Sequence, residues 1–243
     1  MLRHILILSV IIFTASCEQK GNHTNSHTGI ADSTAVLNDP KNNLNIQTRD
    51  FIQIDSSGIL MFPLSMEEHK SSRSSYYKEV PWYQSWNIIF YNGHTGEYYL
   101  LDDRKMLIRE HYIKQGNPER MQTKGAGGYI FYLVIAEDHN EDKKFTDADP
   151  TYLFVSDKEG KHFRQVSPAG YDLHTWEYVS SLNKVILTAK KDSDGNKEFD
   201  ESDEITTFEV QIDSNVVTKE IFPTEFKNKL KLIYDRDWKR LKE

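Results

Sequence analysis

Two acidic loops of twelve residues constrain the fold of this chain more than any other feature. They span residues 138–149 and 192–203, and both fit the pattern D-x-[DN]-x-[DN]-K-x-F-x-x-x-D. Before the second loop Val185, Leu187 and Ala189 stand at every second position, and Phe208, Val210 and Ile212 follow it in the same way. Because such alternation is typical of half-buried strands, the sequence predicts β-hairpins whose tips are the acidic loops.

The loops also carry the oxygen ligands of a hard cation. Oxygen-bearing side chains stand at positions 1, 3, 5 and 12, and Ca²⁺ takes six to eight oxygens on a loop that curls around it. Clustered aspartates repel one another unless a cation neutralises them. The sequence therefore predicts Ca²⁺ in both loops, more strongly in the second; an acidic, solvated turn without an ion is the alternative. The candidate ligands of the second loop are Asp192, Asp194, Asn196, Glu198 through its backbone carbonyl, Asp200 directly or through water, and Asp203. Those of the first loop are Asp138, Asn140, Asp142, Lys144 through its backbone carbonyl, and Asp149.

Over these dozen residues the loops resemble the Ca²⁺-binding loop of EF-hand proteins, with three departures. Lys143 and Lys197 replace the glycine of position 6, and because a positive φ costs a lysine about 1–2 kcal/mol, we expect a different backbone path there. Position 12 is Asp rather than the longer Glu. The flanks are strands, so an ion here cannot open a helix pair. We expect a structural ion with a dissociation constant of about 10⁻⁴–10⁻³ M, as in extracellular modules.

The N-terminus predicts export. The apolar run 5–13 is shorter than the roughly 20 residues that span a bilayer, so residues 1–16 are interpreted as a signal peptide. The segment Thr14-Ala15-Ser16-Cys17 resembles the lipobox of bacterial lipoproteins, although Thr14 replaces the usual leucine. The resemblance implies lipidation of Cys17 and anchoring to a bacterial membrane, the outer membrane by preference, on its periplasmic or surface face. An ordinary cleaved signal is the alternative. Cys17 is the only cysteine, so the domain contains no disulfide.

After the signal peptide the chain divides into a tether and a domain. Residues 17–43 are polar and predict a flexible tether. Residues 44–243 predict an all-β domain of antiparallel hairpin repeats, arranged as an open propeller-like stack or a small sandwich, with a C-terminal helix from about residue 224. The candidate strands are 44–48, 51–54, 58–62, 86–91, 97–101, 106–112, 128–136, 152–156, 162–166, 176–179, 184–190, 205–212 and 216–222.

The hairpins repeat. Residues 129–168 and 184–223 each read as strand, acidic loop, strand, turn, strand. In the first repeat, the segment from Tyr152 to Pro168 resembles the blade signature of TolB-type β-propellers, in which a strand ends at Asp157 and turns through Gly160. The resemblance implies propeller-like repeats, but about three blades are fewer than the four to eight of closed propellers. The alternatives are an open stack, a sandwich, or a propeller completed by a partner.

The C-terminal segment has an amphipathic pattern. Phe226, Leu230, Ile233, Trp238 and Leu241 fall close to one helical stripe, with basic residues around it. A helix of this kind lies on a membrane surface or packs on a sheet. We favour packing on the sheet.

Function is less constrained by the sequence. The net charge of −7 argues against nucleic-acid partners, which favour a basic surface. The chain carries no G-x-S-x-G, H-E-x-x-H, P-loop or dinucleotide-binding motif, and this favours a non-enzymatic binding or scaffold protein. An envelope hydrolase acting on carbohydrate or peptide is the alternative. A possible surface for an envelope protein or glycan comprises Tyr76, Tyr77, Trp82, Tyr83 and Trp86, although such aromatic residues also build cores.

Overall fold

The structure, a computed structural model, describes residues 48–65, 84–113, 128–212 and 216–239. The predicted signal peptide, Cys17, the tether and four of the five aromatic candidates (Tyr76, Tyr77, Trp82 and Tyr83) lie outside these residues. The described part forms twelve strands and one helix. Their bounds are β1 Ile52–Ile54, β2 Ile59–Ser65, β3 Ser85–Asn92, β4 Tyr98–Leu100, β5 Leu107–Ile113, β6 Tyr129–Ile135, β7 Thr151–Asp157, β8 Arg164–Gln165, β9 Tyr171–Val179, β10 Lys184–Lys191, β11 Glu204–Gln211, β12 Val217–Glu220 and α1 Thr224–Asp237.

The strands form two antiparallel sheets. The first follows the order β1-β2-β3-β5-β6-β7-β8, with β4 paired to β3, and the second is the meander β12-β11-β10-β9. The predicted all-β fold of antiparallel hairpins with a C-terminal helix is confirmed. Every candidate strand from residue 51 onward has a counterpart, whereas most of the candidate 44–48 lies outside the described residues.

Strands β6 and β7 lie in the first sheet and are covered on both faces. In β6, Ile130 and Tyr132 point into a core enclosed by the first sheet, whereas Phe131 and Leu133 point to the second sheet. A strand buried on both sides needs apolar residues at successive positions. The uninterrupted sequence of β6 (YIFYLVI) follows from this placement.

The two sheets pack face to face, and the side chains between them form a second core. The Phe131 ring lies 4.9 Å from the Trp176 ring and 5.8 Å from the Tyr178 ring, measured between centroids. The second sheet contributes the alternating residues Val185 and Leu187 of β10, both fully buried. This is the sandwich alternative of the sequence analysis, in which inward-facing side chains from two sheets build one core.

A β-bulge keeps β9 facing this core along its whole length. The register with β10 shifts at Thr188/Ala189 and leaves His174 without a partner in the ladder. An extra residue would turn every later side chain to the opposite face unless the strand bulged. Because of the bulge, the pairs Tyr171/Leu173 and Trp176/Tyr178 face the same core.

The first sheet curls so that β3 meets the turn between β7 and β8. Gly160 lies in that turn with φ 77°, and a Cβ built on it would lie 2.4 Å from the buried ring of Phe90. Nearby, the Tyr99 hydroxyl donates a hydrogen bond to the Glu159 carbonyl, and Lys158 pairs with Asp55. These contacts join the turn after β7 to β3, β4 and the β1–β2 turn, from which at least two other strands separate β7 in the sheet order, so the sheet wraps around its own core.

Helix α1 does not pack as expected. None of its residues is buried, and Leu230 and Ile233 remain 48% and 38% exposed. The expectation that the helix covers a sheet with its apolar stripe is therefore wrong. Its first turn is held at the sheet edge by Lys227, which pairs with Glu204 of β11 and Glu220 of β12.

Candidate metal centre

Both acidic loops lie at hairpin tips, as predicted. The first closes the β6–β7 ladder after the pair Ile135↔Thr151, and the second closes the β10–β11 ladder after the pair Lys191↔Glu204. Regular ladders on both sides fix the ends of each loop.

Three carboxylates of the second loop meet at one point. Asp192, Asp194 and Asp203 each offer an oxygen, and these atoms all lie within 4.8 Å of one another. Oxygen ligands of Ca²⁺ lie about 2.3–2.6 Å from the ion, so ligands on opposite sides are about 4.6–5.2 Å apart. The three carboxylates can therefore hold a metal ion.

The carboxylate of Asp203 organises the ends of the second loop. It is only 7% exposed and accepts hydrogen bonds from the N–H groups of Ser193 (2.7 Å) and Asp200 (3.1 Å). A buried carboxylate must be hydrogen-bonded or paired, because burial of an isolated charge is costly. These two bonds use one lone pair on each oxygen, which leaves further acceptor positions for a cation.

Asp192 organises the middle of the loop in the same way. Its oxygens accept the N–H groups of Gly195 (2.7 Å) and Lys197 (3.0 Å). Desolvation would raise the pKa of Asp192, but these N–H groups and the imidazole of His139 outweigh it and hold the pKa below its ordinary value. The charged form that a cation needs is thus favoured.

The lysines at position 6 adopt the backbone conformation that was expected to be avoided. Lys143 has φ 69° and Lys197 has φ 66°, so the prediction of a different path is wrong. The N–H of Lys143 donates to Asp138 (2.8 Å) and the N–H of Lys197 donates to Asp192 (3.0 Å). A hydrogen bond to a charged group contributes about 1.5–3 kcal/mol, which offsets the cost of the left-handed conformation.

The first loop has the same backbone frame with fewer charges. Asp149, 2% exposed, accepts the N–H groups of His139 and Thr146, each at 2.9 Å. Position 3 is Asn140, whose amide oxygen accepts the N–H of Asp142 (3.0 Å). Among the described residues, His, Cys, Asp and Glu side chains form a three-ligand group only in the second loop. The geometry therefore favours the second loop.

The remaining candidate ligands are placed less directly. One Asp200 oxygen accepts both the N–H and the hydroxyl of Ser202, at 2.7 Å each. The hydroxyl bond is the main reason that the pKa of Asp200 lies below its ordinary value. The Asn196 amide oxygen accepts the N–H of Glu198 at 2.7 Å. The roles of the Glu198 and Lys144 carbonyls stay predictions.

The two loops contact each other, which the sequence did not predict. Nε2 of His139 lies 3.3 Å from Oδ2 of Asp192, and the imidazole lies 4.8 Å from the Phe199 ring. Lys197 pairs with Glu141 of the first loop at 2.8 Å, and this pairing lowers the pKa of Glu141. A candidate ligand of one loop is therefore also a contact of the other.

A polar junction that sequence reasoning missed fixes the end of the first loop. Arg109 of β5 pairs with Asp147 of the loop (3.2 Å) and donates to the Thr151 hydroxyl (3.0 Å). The Thr151 N–H donates to Asp172 of β9 at 2.8 Å. Burial raises the pKa of Asp172. No spacing in the sequence marks these residues, because they meet only when both sheets are in place.

The predicted aromatic surface is represented by a single residue. Trp86, in β3, is 37% exposed, and the other four aromatic residues lie outside the described part of the chain. No described helix has the length and apolar character needed to span a bilayer. The comparisons with known proteins matched no family model and no curated protein to this chain.

Proposed function

We propose that this chain is a Ca²⁺-stabilised β module of the bacterial cell envelope, attached by lipid at Cys17 and serving as a non-enzymatic binding or scaffold protein. The proposed Ca²⁺ site rests on one observation, which is that carboxylate oxygens of Asp192, Asp194 and Asp203 lie within 4.8 Å of one another. The ion would bind on the hairpin tip between β10 and β11. Its role would be to neutralise the carboxylates and stabilise the hairpin.

The donor set favours Ca²⁺ over other common metals. The three converging ligands are all carboxylates, whereas Zn²⁺ prefers thiolate and imidazole. Opposite oxygens around Mg²⁺ lie about 4.0–4.2 Å apart because its bonds are about 2.0–2.1 Å long. Separations of up to 4.8 Å leave room for the longer bonds of Ca²⁺. Strands on both sides of the loop favour a structural ion over a switch.

Attachment to the membrane is supported by the sequence alone. The lipobox-like segment ending at Cys17, and the polar stretch 17–43 after it, are typical of a lipid anchor followed by a tether. Export would suit the weak affinity expected of the site, because extracellular Ca²⁺ modules have dissociation constants of about 10⁻⁴–10⁻³ M. The hairpin repeats, which resemble those of TolB-type propellers, would supply a binding face rather than a catalytic centre.

Calorimetric titration and thermal unfolding test the metal site. If the dissociation constant is about 0.1 mM, a Ca²⁺ concentration of about 2 mM raises the free energy of unfolding by about 1.8 kcal/mol per site. The same concentration of Mg²⁺ should give less. The double change Asp192→Ala with Asp194→Ala should remove most of the gain from the second loop.

A matched change in the first loop, Asp138→Ala with Asn140→Ala, serves as the control and should remove less of the gain. Absence of heat on titration, together with an unchanged melting temperature in EDTA, would contradict the metal proposal. The lipid proposal is tested separately by the intact mass of protein exported from a bacterial host, with Cys17→Ser as its control. An unmodified Cys17 would contradict it.

A further inference from the structure

Helix α1 presents an apolar face that no described part of the chain covers. Phe226, Leu230 and Ile233 lie on this face, and each is at least 38% exposed. The Phe222 ring continues it, 5.7 Å from the ring of Phe226. Trp238, directly after the helix, is 72% exposed. Exposed apolar patches that are contiguous mark interaction sites.

Basic residues flank this face rather than oppose it. At 100° per residue, Phe226, Leu230, Ile233 and Tyr234 fall within an arc of about 100°, whereas Leu232 lies outside this arc. Lys227 and Lys231 follow one margin of the arc, and Lys229 and Arg236 follow the other. Within the described residues, Lys229 and Lys231 form no ion pair. Long cationic side chains beside an apolar arc can place their charges at lipid headgroups while the arc enters the acyl boundary.

The charge of this segment is opposite to that of the chain. Residues 224–239 carry five basic and three acidic side chains, a net charge of +2, whereas the whole chain carries −7. An acidic protein is repelled by an anionic membrane except where a basic segment faces it. The segment that is basic is also the one that exposes apolar residues.

A second copy of the chain fits this face less well. Antiparallel pairing of two α1 helices would centre near Leu230 and bring Lys229 and Lys231 of both copies together. Like charges at such positions are destabilising. An anionic surface is complementary to the same lysines.

We propose that α1 lies in the interface of an anionic lipid surface, with Phe226, Leu230 and Ile233 facing the acyl chains. The ion pairs of Lys227 with Glu204 and Glu220 would hold the second sheet next to that surface. The proposal depends neither on the metal site nor on the lipid at Cys17. The helix would make a reversible contact with the membrane, separate from any lipid attached at Cys17.

The single cysteine makes a local test possible. In a Cys17→Ser background, Ile233→Cys carries a polarity-sensitive fluorophore on the apolar face, and Asn228→Cys carries it on the opposite face. The full chain is mixed with vesicles of phosphatidylglycerol and phosphatidylcholine. We expect a blue shift of the label at residue 233 and little change at residue 228, with no shift on phosphatidylcholine alone.

A separate variant tests the electrostatic contribution of the lysines to membrane binding. Each basic residue near an anionic surface contributes about 1 kcal/mol, so Lys229→Gln with Lys231→Gln should lower the partition constant about thirtyfold. Raising NaCl from about 0.1 M to about 1 M should weaken binding similarly, because the Debye length falls from about 10 Å to about 3 Å.

Three results would overturn the proposal. The first is an unchanged label at residue 233 on anionic vesicles, and the second is an equal shift at residues 228 and 233. The third is a shift that grows with protein concentration in the absence of vesicles, accompanied by dimers in sedimentation, which would assign the face to a second copy.

Discussion

Replacement of Gly160 by alanine tests whether the first sheet curls onto itself. The new Cβ would lie 2.4 Å from the ring of Phe90, a fully buried residue of the first core. Overpacking of a core costs about 1–3 kcal/mol. The positive φ of 77° adds about 1–2 kcal/mol for alanine. We therefore expect Gly160→Ala to lower the free energy of unfolding by about 2–5 kcal/mol.

Gly170 provides a matched control. Its φ is 75°, and a Cβ there would meet nothing within 4 Å, so Gly170→Ala should cost only the backbone term of about 1–2 kcal/mol. The difference between the two variants, measured by urea unfolding, isolates the contact with Phe90. In the double variant with Phe90→Leu, the smaller side chain should relieve part of the cost, which a double-mutant cycle measures. Equal costs for the two glycine variants would refute the curl of the sheet.

Two further predictions concern single side chains. Burial lowers the pKa of His111 below its ordinary value, so below about pH 6.5 the unfolded chain binds more protons than the folded one, and the free energy of unfolding should fall as the pH drops. Unfolding of the wild type and of His111→Phe at pH 5 and pH 7 checks this. An equal pH dependence in the two proteins contradicts it. Lys143→Gly should raise the free energy of unfolding by up to about 1 kcal/mol in EDTA. Glycine adopts the positive φ of 69° without the cost to a lysine, although it loses more entropy on folding. Lys143→Ala should give no such gain, and a lower free energy of unfolding in the glycine variant would argue against this conformation.

Local patterns predicted the hairpins because each hairpin is a local structure. Alternation around the second loop placed β10 and β11, and the acidic residues between them placed the tip. The uninterrupted apolar run of β6 was consistent with a strand buried on both faces, although it could not say what covers each face. That depends on the ring contacts of Phe131 with Trp176 and Tyr178, which join residues of different sheets.

The backbone at position 6 shows where local reasoning failed. The cost of a positive φ was estimated for an isolated lysine, and it predicted avoidance. In the loop the same N–H donates to the aspartate at position 1, at 2.8 Å in the case of Lys143. The intrinsic preference of a lysine for a negative φ is weaker than a charge-assisted hydrogen bond that the rest of the loop holds in place.

The pattern of α1 was correctly identified as an amphipathic helix, but its environment was not. A stripe of Phe226, Leu230 and Ile233 has the same spacing whether it covers a sheet or enters a lipid interface. What differs is the surface opposite it, and periodicity within the helix does not report that surface. The flanking basic residues were noted in the sequence, but they are compatible with a solvated outer face as well as with a membrane surface.

The juxtaposition of the two loops bears directly on how calcium binding must be measured. Asp192 Oδ2 is a candidate ligand and also contacts His139 of the first loop at 3.3 Å. A cation in the second loop would therefore share or displace that contact. A change at His139 alters the second site as well as the first, and it cannot serve as a first-loop control. The control variant instead changes Asp138 and Asn140, whose hydrogen bonds remain within the first loop. If this variant nevertheless removes as much of the Ca²⁺ stabilisation as the second-loop variant, the loops bind as one unit.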